Sequence, residues 1–235
     1  MDKLYIVVPA YNEQDNIKDF VQDWYPIIEK YGSFDSKLVV VDDGSKDNTY
    51  EVLKELNHHY PKLLPITKEN GGHGQTVLFA YRYAIDNEAD YIFQTDSDRQ
   101  TNPDEFEGFW QIRNDYDAII GKRISRGDGK IREYVEKIVC LILRVIFGVK
   151  LKDANAPFRL MKRELVNKYI NKLPDDFNLP NIMFTTYFSY YKEKIMFVPI
   201  SFKPRTKGTN SINIKRIIKI GIKAIGDFYN LKKDI

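Results

Sequence analysis

Residues 91–100 read Tyr91-Ile92-Phe93-Gln94-Thr95-Asp96-Ser97-Asp98-Arg99-Gln100, an apolar run that stops at two carboxylates spaced i, i+2. Side chains of an extended chain alternate faces, so Asp96 and Asp98 project to one side of a strand end and their oxygens converge. Hard oxygen ligands of this kind suit Mg2+ or Mn2+, which keep open positions for phosphate oxygens, and Gln100 can supply a third ligand. A divalent ion held there is a seat for a nucleotide diphosphate. An isolated Asp-x-Asp is common in polar loops, so its meaning depends on the motifs around it.

The same pattern, a short β-branched run that ends in polar residues, recurs upstream. Strands are predicted over 4–8, 37–41, 63–66, 91–94 and 118–120, with helices over 14–30, 48–59, 74–86 and 103–113 between them. Such alternation predicts an α/β chain built on a parallel sheet with helices on both faces, in which ligands gather at the carboxyl ends of the strands. Pro9-Ala10-Tyr11-Asn12-Glu13, Asp42-Asp43-Gly44-Ser45 and Asp96-Ser97-Asp98 each follow a predicted strand, which sets all three along one rim. The second half reads as a helix over 130–148, a strand over 158–162, an aromatic helix over 181–191 and a strand over 195–200. Beyond residue 211 a basic amphipathic helix runs toward the C-terminus.

Each motif has a plain structural reading beside the chemical one. In Asp42-Asp43-Gly44-Ser45-Lys46-Asp47-Asn48-Thr49, Gly44 supplies a bend and a later polar residue caps the next helix. Consecutive aspartates at a buried strand end also repel each other, and a carboxylate there can accept from a nucleobase N–H or a ribose hydroxyl. Asn70-Gly71-Gly72-His73-Gly74-Gln75 opens a helix where backbone N–H groups can approach an anion, while His73 alone reads more readily as a hydrogen-bonded structural residue. Gly121-Lys122-Arg123 and Arg205-Thr206-Lys207-Gly208 follow strands, and cations beside a metal-diphosphate site neutralise charge on a leaving group. Arg159, inside an apolar strand, calls for a buried partner.

Composition narrows the chemistry. The chain has 235 residues, 43% of them hydrophobic, with 16 Tyr and 14 Phe, which is enough for a sizeable core and excludes wholesale disorder. One cysteine, Cys140, has no internal disulfide partner, in keeping with a reducing cytoplasm, and its apolar neighbours predict an inert thiol. With only His58, His59 and His73, a multi-histidine zinc site or a serine-histidine triad has little material, so metal chemistry must rest on carboxylates. Met1-Asp2-Lys3 runs straight into a strand-like stretch, which reads as a chain without a signal peptide. The apolar run over 138–149 is short of the roughly 20 residues a membrane span needs and contains Arg144. Residues 203–235 hold nine Lys or Arg against Asp227 and Asp234, a local +7 in a chain of net charge +3. That asymmetry predicts an anionic partner near the C-terminus.

Taken together, the motifs resemble the family 2 glycosyltransferases of the GT-A fold, and among them the dolichyl-phosphate and polyprenyl-phosphate sugar synthases. The resemblance covers residues 4–211. It rests on Pro9-Ala10-Tyr11-Asn12-Glu13, Asp42-Asp43-Gly44-Ser45, Asp96-x-Asp98-x-Gln100-x-x-Pro103, Gly121-Lys122-Arg123, Asp153-x-x-x-x-Phe158-Arg159 and Pro199-Ile200-x-Phe202-x-x-Arg205-x-x-Gly208. It implies a Rossmann-like mixed sheet flanked by helices, with a GT-A domain over 1–211 and the basic helix over 212–235. Residues 1–121 form the nucleotide-sugar half and 122–211 the acceptor half. It further implies Pro9, Tyr11, Glu13, Val41 and Asp43 on the nucleoside with Asp42 close by, Asp96 and Ser97 at the donor, and Asp98 and Gln100 on the metal. Arg123 and Arg205 then face the diphosphate or the acceptor phosphate, with Lys137, Arg159 and Lys207 as further acceptor-phosphate candidates.

Three departures from the family pattern concern the acceptor. Asn210-Ser211 stands where Ser-Lys is usual, Ser97 replaces the middle Ala of Asp-Ala-Asp, and Ala156-Pro157 replaces small residues before Phe-Arg. The resemblance implies metal-assisted, inverting transfer from a UDP- or GDP-sugar. A hydroxyl acceptor needs a general base, which relatives place near the start of a helix in the second half. Residues 181–191 hold no Asp or Glu, leaving Asp175 and Asp176 upstream. A lipid phosphate is already ionised and needs no base. The expected partners are a nucleotide-sugar, a lipid phosphate or alternatively a glycan, a membrane surface at its cytoplasmic face and a membrane protein, with no nucleic acid. The alternatives are transfer to a sugar hydroxyl in cell-surface polysaccharide assembly and a silent nucleotide-sugar-binding subunit.

Overall fold

The computed structural model describes residues 1–124, 130–205, 214–233 and 235. Its elements are β1 (Leu4–Ala10), α1 (Ile17–Tyr31), β2 (Lys37–Asp42), α2 (Thr49–Asn57), β3 (Leu63–Thr67), α3 (His73–Asp86) and β4 (Tyr91–Thr95). A 3-10 turn (Pro103–Glu105) then leads into α4 (Phe106–Gln111), β5 (Ala118–Arg123), α5 (Lys130–Phe147), β6 (Phe158–Lys162), α6 (Arg163–Ile170), α7 (Pro180–Tyr190), β7 (Ile195–Ile200) and α8 (Ile214–Lys233).

The seven strands form one sheet in the order β3-β2-β1-β4-β6-β5-β7. Apolar side chains load both of its faces, because the central strands are largely hydrophobic, with Gln94, Thr95 and Arg159 among the exceptions, and period-2 alternation sends their side chains both ways. Leu4, Ile6, Val8, Leu38, Val40 and Phe93 meet α1, α2 and α4 on one face. Tyr5, Val7, Val39, Val41, Ile92 and Ile120 meet α3, α5, α6, α7 and α8 on the other.

The order reverses at β1, and there the sheet opens. β1 stays paired with β2 as far as Ala10↔Asp42, but its pairing with β4 stops at Val7↔Gln94. The crevice beyond Val7 lies at the carboxyl ends of two parallel strands on either side of a switch point, where open α/β sheets bind ligands. Pro9 falls in this opened stretch, so its missing N–H leaves no ladder bond unmade, and its carbonyl accepts from Ser97 Oγ at 3.0 Å.

Several elements differ from the sequence reading. The sheet is mixed rather than parallel: β6 runs antiparallel to both β4 and β5. Residues 148–157, starting at Gly148 with φ +73°, return the chain to the rim, so β6 begins where β5 ended. β5 extends to Arg123, which makes Lys122 and Arg123 strand residues. Helix α6 was not predicted, although Leu165, Val166, Tyr169 and Ile170 are buried at helical spacing. Ala224, Phe228 and Leu231 of α8 join the core formed by α3, α5 and α7, so the expected amphipathic stripe turns Phe228 inward. The side chains of Ile214, Ile217, Ile218 and Ile222 lie outside the described residues. Cys140 is partly buried, and burial, then Glu136, push its thiol up to about 12, which keeps it protonated and inert. Among the described residues no helix is long and apolar enough to cross a membrane.

Candidate active site

Two loops are laced together at the rim beyond β1 and β2. Asn12 N donates to Ser45 Oγ at 2.9 Å, Lys46 N to Asn12 Oδ1 at 2.8 Å, and Glu13 N to Thr49 Oγ1 at 2.8 Å. Asp47 Oδ1 accepts from Thr49 N at 3.0 Å in an Asx turn that leads into α2. Gly44 has φ +64°, and a Cβ there would lie 2.9 Å from Asn70 N, so the bend admits only glycine.

The consecutive aspartates, expected to repel, are separated by their partners. Asp42 accepts from Thr67 Oγ1 at 2.8 Å and from Ser45 N at 3.3 Å. Asp43 accepts from Lys68 Nζ at 2.5 Å, Gly71 N at 2.9 Å and Gly72 N at 2.8 Å. Burial alone would raise the Asp43 carboxyl, but Lys68 and the Gly71 N–H outweigh it and hold the carboxyl below its ordinary value. Asp43 thereby shapes the Gly71-Gly72 turn that opens α3. That opening is tight: a Cβ on Gly74 would lie 2.4 Å from Phe177 O and 2.5 Å from Asn178 O.

Across the crevice, Asp96 and Asp98 follow the end of β4 at Thr95, where the chain leaves the extended conformation and turns at Ser97 and Asp98, so their approach comes from the turn and not from strand alternation. Burial, then the Asp96 charge, raise the Asp98 carboxyl to about 7 against the Gln100 N–H and Arg205, which lower it. Asp96 is also raised, by burial, with His73, Arg123, Arg159 and Gln94 opposing. Two neighbouring carboxylates that the protein leaves short of compensating charge are what a divalent cation relieves. Gln100 fits as a further ligand, because its Nε2 donates to Lys203 O at 2.8 Å and leaves Oε1 to face elsewhere. Among the described residues no group of three or more His, Cys, Asp or Glu side chains could hold a metal. Two carboxylates and an amide leave the remaining coordination positions to donor oxygens and water, as Mg2+ and Mn2+ prefer.

The predicted cations have partners of their own. Arg205 pairs with Glu13, whose other oxygen accepts from Asn16 Nδ2 at 2.7 Å. This bond ties the segment after β7 to the first loop of the chain. Lys203 N also donates to Gln100 O at 2.7 Å, so the same segment holds the Asp98 loop. Arg123 forms a bidentate pair with Asp153 at 2.8 and 2.7 Å, lies 3.5 Å from Glu136 and stacks on the Phe202 ring. Arg159 is fully buried and donates to the carbonyls of Ala154, Ala156 and Asn181. Lys137 is exposed on α5 and pairs with Glu133 at 2.6 Å. Lys207 lies outside the described residues. Asp175 is 90% exposed and pairs with Arg82, nine residues beyond His73 on α3 and so about 13 Å down the helix from the rim.

Two residues to which the sequence reading gave no site role, His73 and Gln94, approach Asp96, and Asn181 stands behind Gln94. His73 Nε2 lies 3.9 Å from Asp96 Oδ1. Gln94 Nε2 donates to the same oxygen at 3.1 Å, and Asn181 Nδ2 donates to Gln94 Oε1 at 2.9 Å. The signal for His73 was its place at the helix start after two glycines. For Gln94 it was an amide inside an apolar strand, which needs partners.

Comparison with known proteins gives this geometry a context. Residues 5–170 match the family described as Glycosyl transferase family 2. A dolichol-phosphate mannosyltransferase of Pyrococcus furiosus is 28% identical over 229 residues, 92% of this chain and 61% of that protein. An undecaprenyl-phosphate 4-deoxy-4-formamido-L-arabinose transferase of Shewanella sediminis is 25% identical over 171 residues, 71% of this chain and 50% of that protein. The chain therefore spans half to about three-fifths of the length of these curated relatives. Among solved structures, Mycobacterium tuberculosis glucosyl-3-phosphoglycerate synthase with Mn2+, UDP and phosphoglyceric acid superposes with TM-score 0.71 at 16% identity, covering 98% of this chain and 78% of that one. S. aureus TarS 1-349 with UDP gives TM-score 0.62 at 18% identity, covering 96% and 65%. These likenesses identify the sheet as a GT-A fold.

Proposed function

Because the chain belongs to glycosyl transferase family 2, we propose that it moves a sugar from a nucleoside diphosphate sugar to a polyprenyl or dolichyl phosphate. The nucleoside lies against Pro9, Tyr11, Glu13, Val41 and the Asp42-Asp43 turn, and the sugar against Asp96 and Ser97. Asp96, Asp98 and Gln100 would hold Mg2+ or Mn2+, which when bound would offset the charge of the departing diphosphate. Arg205 adds a cation on the same side. An acceptor phosphate oxygen attacks the anomeric carbon opposite the leaving group, the old C–O bond breaks toward the diphosphate, and the configuration inverts.

One observation carries the choice of acceptor. Asp175 is drawn away to Arg82, Asp176 is exposed, and the first turn of α7 carries the buried amide of Asn181, which takes no proton. A hydroxyl acceptor lacks a base from these candidates, whereas a phosphate needs none. The names of the two curated relatives carry the same acceptor chemistry. The test supplies labelled UDP- and GDP-sugars with Mg2+ or Mn2+ and offers polyprenyl phosphate in detergent beside free sugar acceptors. Label is expected on the lipid phosphate, with Asp175→Asn and Asp176→Asn active. Transfer to sugar hydroxyls alone, dependent on either aspartate, refutes this acceptor.

A membrane-bound acceptor requires approach to a bilayer. On α5, Tyr134, Ile138, Leu141 and Val145 recur at helical spacing with their side chains exposed, Leu141 at 60% and Val145 at 77%. Ile225 and Tyr229 of the neighbouring α8 are also exposed. Lys137, Arg144, Lys223 and Lys233 are exposed on the same two helices, and on this reading the chain associates peripherally with the cytoplasmic, anionic face of the membrane. Deleting 212–235 would strip Phe228 and Leu231 from the core, so point changes are the cleaner probe. Leu141→Glu with Val145→Glu is expected to lower flotation with anionic liposomes about fivefold or more, as is high salt. Flotation equal to the parent chain would remove the membrane surface from the proposal.

A further inference from the structure

Asp96 stands at the end of a buried chain of side chains that links three elements. Tyr81 Oη on α3 donates to Asn181 Oδ1 on α7 at 3.1 Å, Asn181 Nδ2 donates to Gln94 Oε1 on β4 at 2.9 Å, and Gln94 Nε2 donates to Asp96 Oδ1 at 3.1 Å. All three relay residues are buried, with Tyr81 and Gln94 at 1% exposure or less. The direction of every bond follows from the last. An ionised carboxylate only accepts, so Gln94 must turn its NH2 to Asp96 and its carbonyl to Asn181. Asn181 must then offer its NH2 to Gln94 and its carbonyl to the Tyr81 hydroxyl. Reversing one member sets two acceptors or two donors face to face among side chains that are 3% exposed or less.

The relay is anchored at α7. The backbone carbonyl of Asn181 accepts from Arg159 Nη1 at 3.1 Å and from Thr185 Oγ1 at 2.8 Å. Tyr81 is fixed edge-on against Phe184, one turn along the same helix, with ring centroids 5.4 Å apart. Among the described residues no protein donor is bonded to Asp96 Oδ2.

We propose that Tyr81, Asn181 and Gln94 are positioning residues that hold Asp96 by Oδ1 and leave Oδ2 for the metal-bound donor. Helix α7, from the second half of the chain, thereby sets the donor geometry of the first. This inference rests on the reading of the crevice as a metal and nucleotide-sugar site.

Its test uses substitutions that keep shape and change polarity. Asn181→Asp can accept from Tyr81 but cannot donate to Gln94; a flip of the Gln94 amide to satisfy it would turn Gln94 Oε1 onto Asp96. Gln94→Glu removes the donor outright, and Tyr81→Phe deletes one oxygen at the far end. The Kd values of UDP and of GDP are measured by calorimetry in Mn2+ and in EDTA. The EDTA value reads the nucleoside contacts, and the gain in Mn2+ reads the Asp96–Asp98 end. In Asn181→Asp and Gln94→Glu the Mn2+ gain is expected to fall about tenfold or more, the usual cost of losing support behind a metal ligand, with the EDTA Kd within about twofold. Tyr81→Phe is expected to lose about threefold of the gain. An unchanged gain in Tyr81→Phe overturns the relay even if the other two variants do not fold, and equal weakening in EDTA and Mn2+ reduces it to a packing role. A parent chain with no Mn2+ gain for either nucleotide refutes the metal and nucleotide reading itself.

Discussion

Asp98→Asn is expected to lower sugar transfer by about a hundredfold or more while the chain stays folded. The substitution is isosteric and removes one of the two carboxylates assigned to the divalent ion. Excess EDTA on the parent chain should reproduce the loss. The acidity of Asp98 adds a pH signature. Its carboxyl, raised to about 7 chiefly by burial and then by Asp96, binds a proton more tightly in the folded chain than in the unfolded one. For a carboxyl shifted in this direction, metal-free stability falls as pH rises from about 4 toward 7, because the folded state must give up a proton it prefers to keep. A bound cation reverses that penalty. The Tm difference between Mn2+ and EDTA is therefore expected to widen from pH 6 to pH 8, and metal-free Asp98→Asn should unfold at pH 8 no earlier than the parent. Full transfer by Asp98→Asn, or a Mn2+ effect on Tm that shrinks as pH rises, refutes the metal assignment.

Arg205→Gln should cost as much in transfer and, unlike Asp98→Asn, should also cost stability. Its guanidinium faces Glu13, which is 7% exposed, and also favours the ionised form of Asp98 across the crevice. Removing it leaves a buried carboxylate near two others, a loss of about 3 kcal/mol by the usual cost of breaking such a pair. The double variant Glu13→Gln with Arg205→Gln separates the two roles. It is expected to regain most of the Tm, because no buried charge is stranded, while turnover at saturating donor remains about a hundredfold down for want of a cation beside the leaving diphosphate. Recovery of both Tm and turnover would mean that Arg205 serves only to neutralise Glu13.

The rim of this chain was legible because its polar motifs sit at the ends of strands whose hydrophobic runs are easy to read. A run such as Leu38-Val39-Val40-Val41 announces a buried strand, and in an α/β sheet the residues after it must reach the rim. That argument brought Pro9 to Glu13, Asp42-Asp43 and Asp96 to Asp98 together without knowledge of any contact. The two carboxylates do act on each other, but from the turn after β4 and not from alternation along an extended strand.

Contacts between distant parts of the chain were not legible. Arg123, Arg159 and Arg205 read alike as cations after or within strands. The fold gives the first a carboxylate pair in Asp153, the second three backbone carbonyls and the third Glu13, 192 positions away. A charge in a sequence states that a partner is required if it is buried, but not which one. The basic helix followed the same rule: its amphipathic pattern predicted an apolar face, and only packing against α5 and α7 turned Phe228 into the core.

By itself, then, the sequence determined the strand and helix order of the first half, the rim on which its polar motifs meet and the oxygen-rich character of the candidate metal site. These follow from periodicity and side-chain chemistry, which act over a few residues. Tertiary structure alone decided the antiparallel entry of β6, the partners of the three arginines, the inward face of α8 and the line of amides from Tyr81 to Asp96. Each of these depends on where residues far apart in the chain come to lie, and burial then makes every polar group among them find a partner within hydrogen-bond reach.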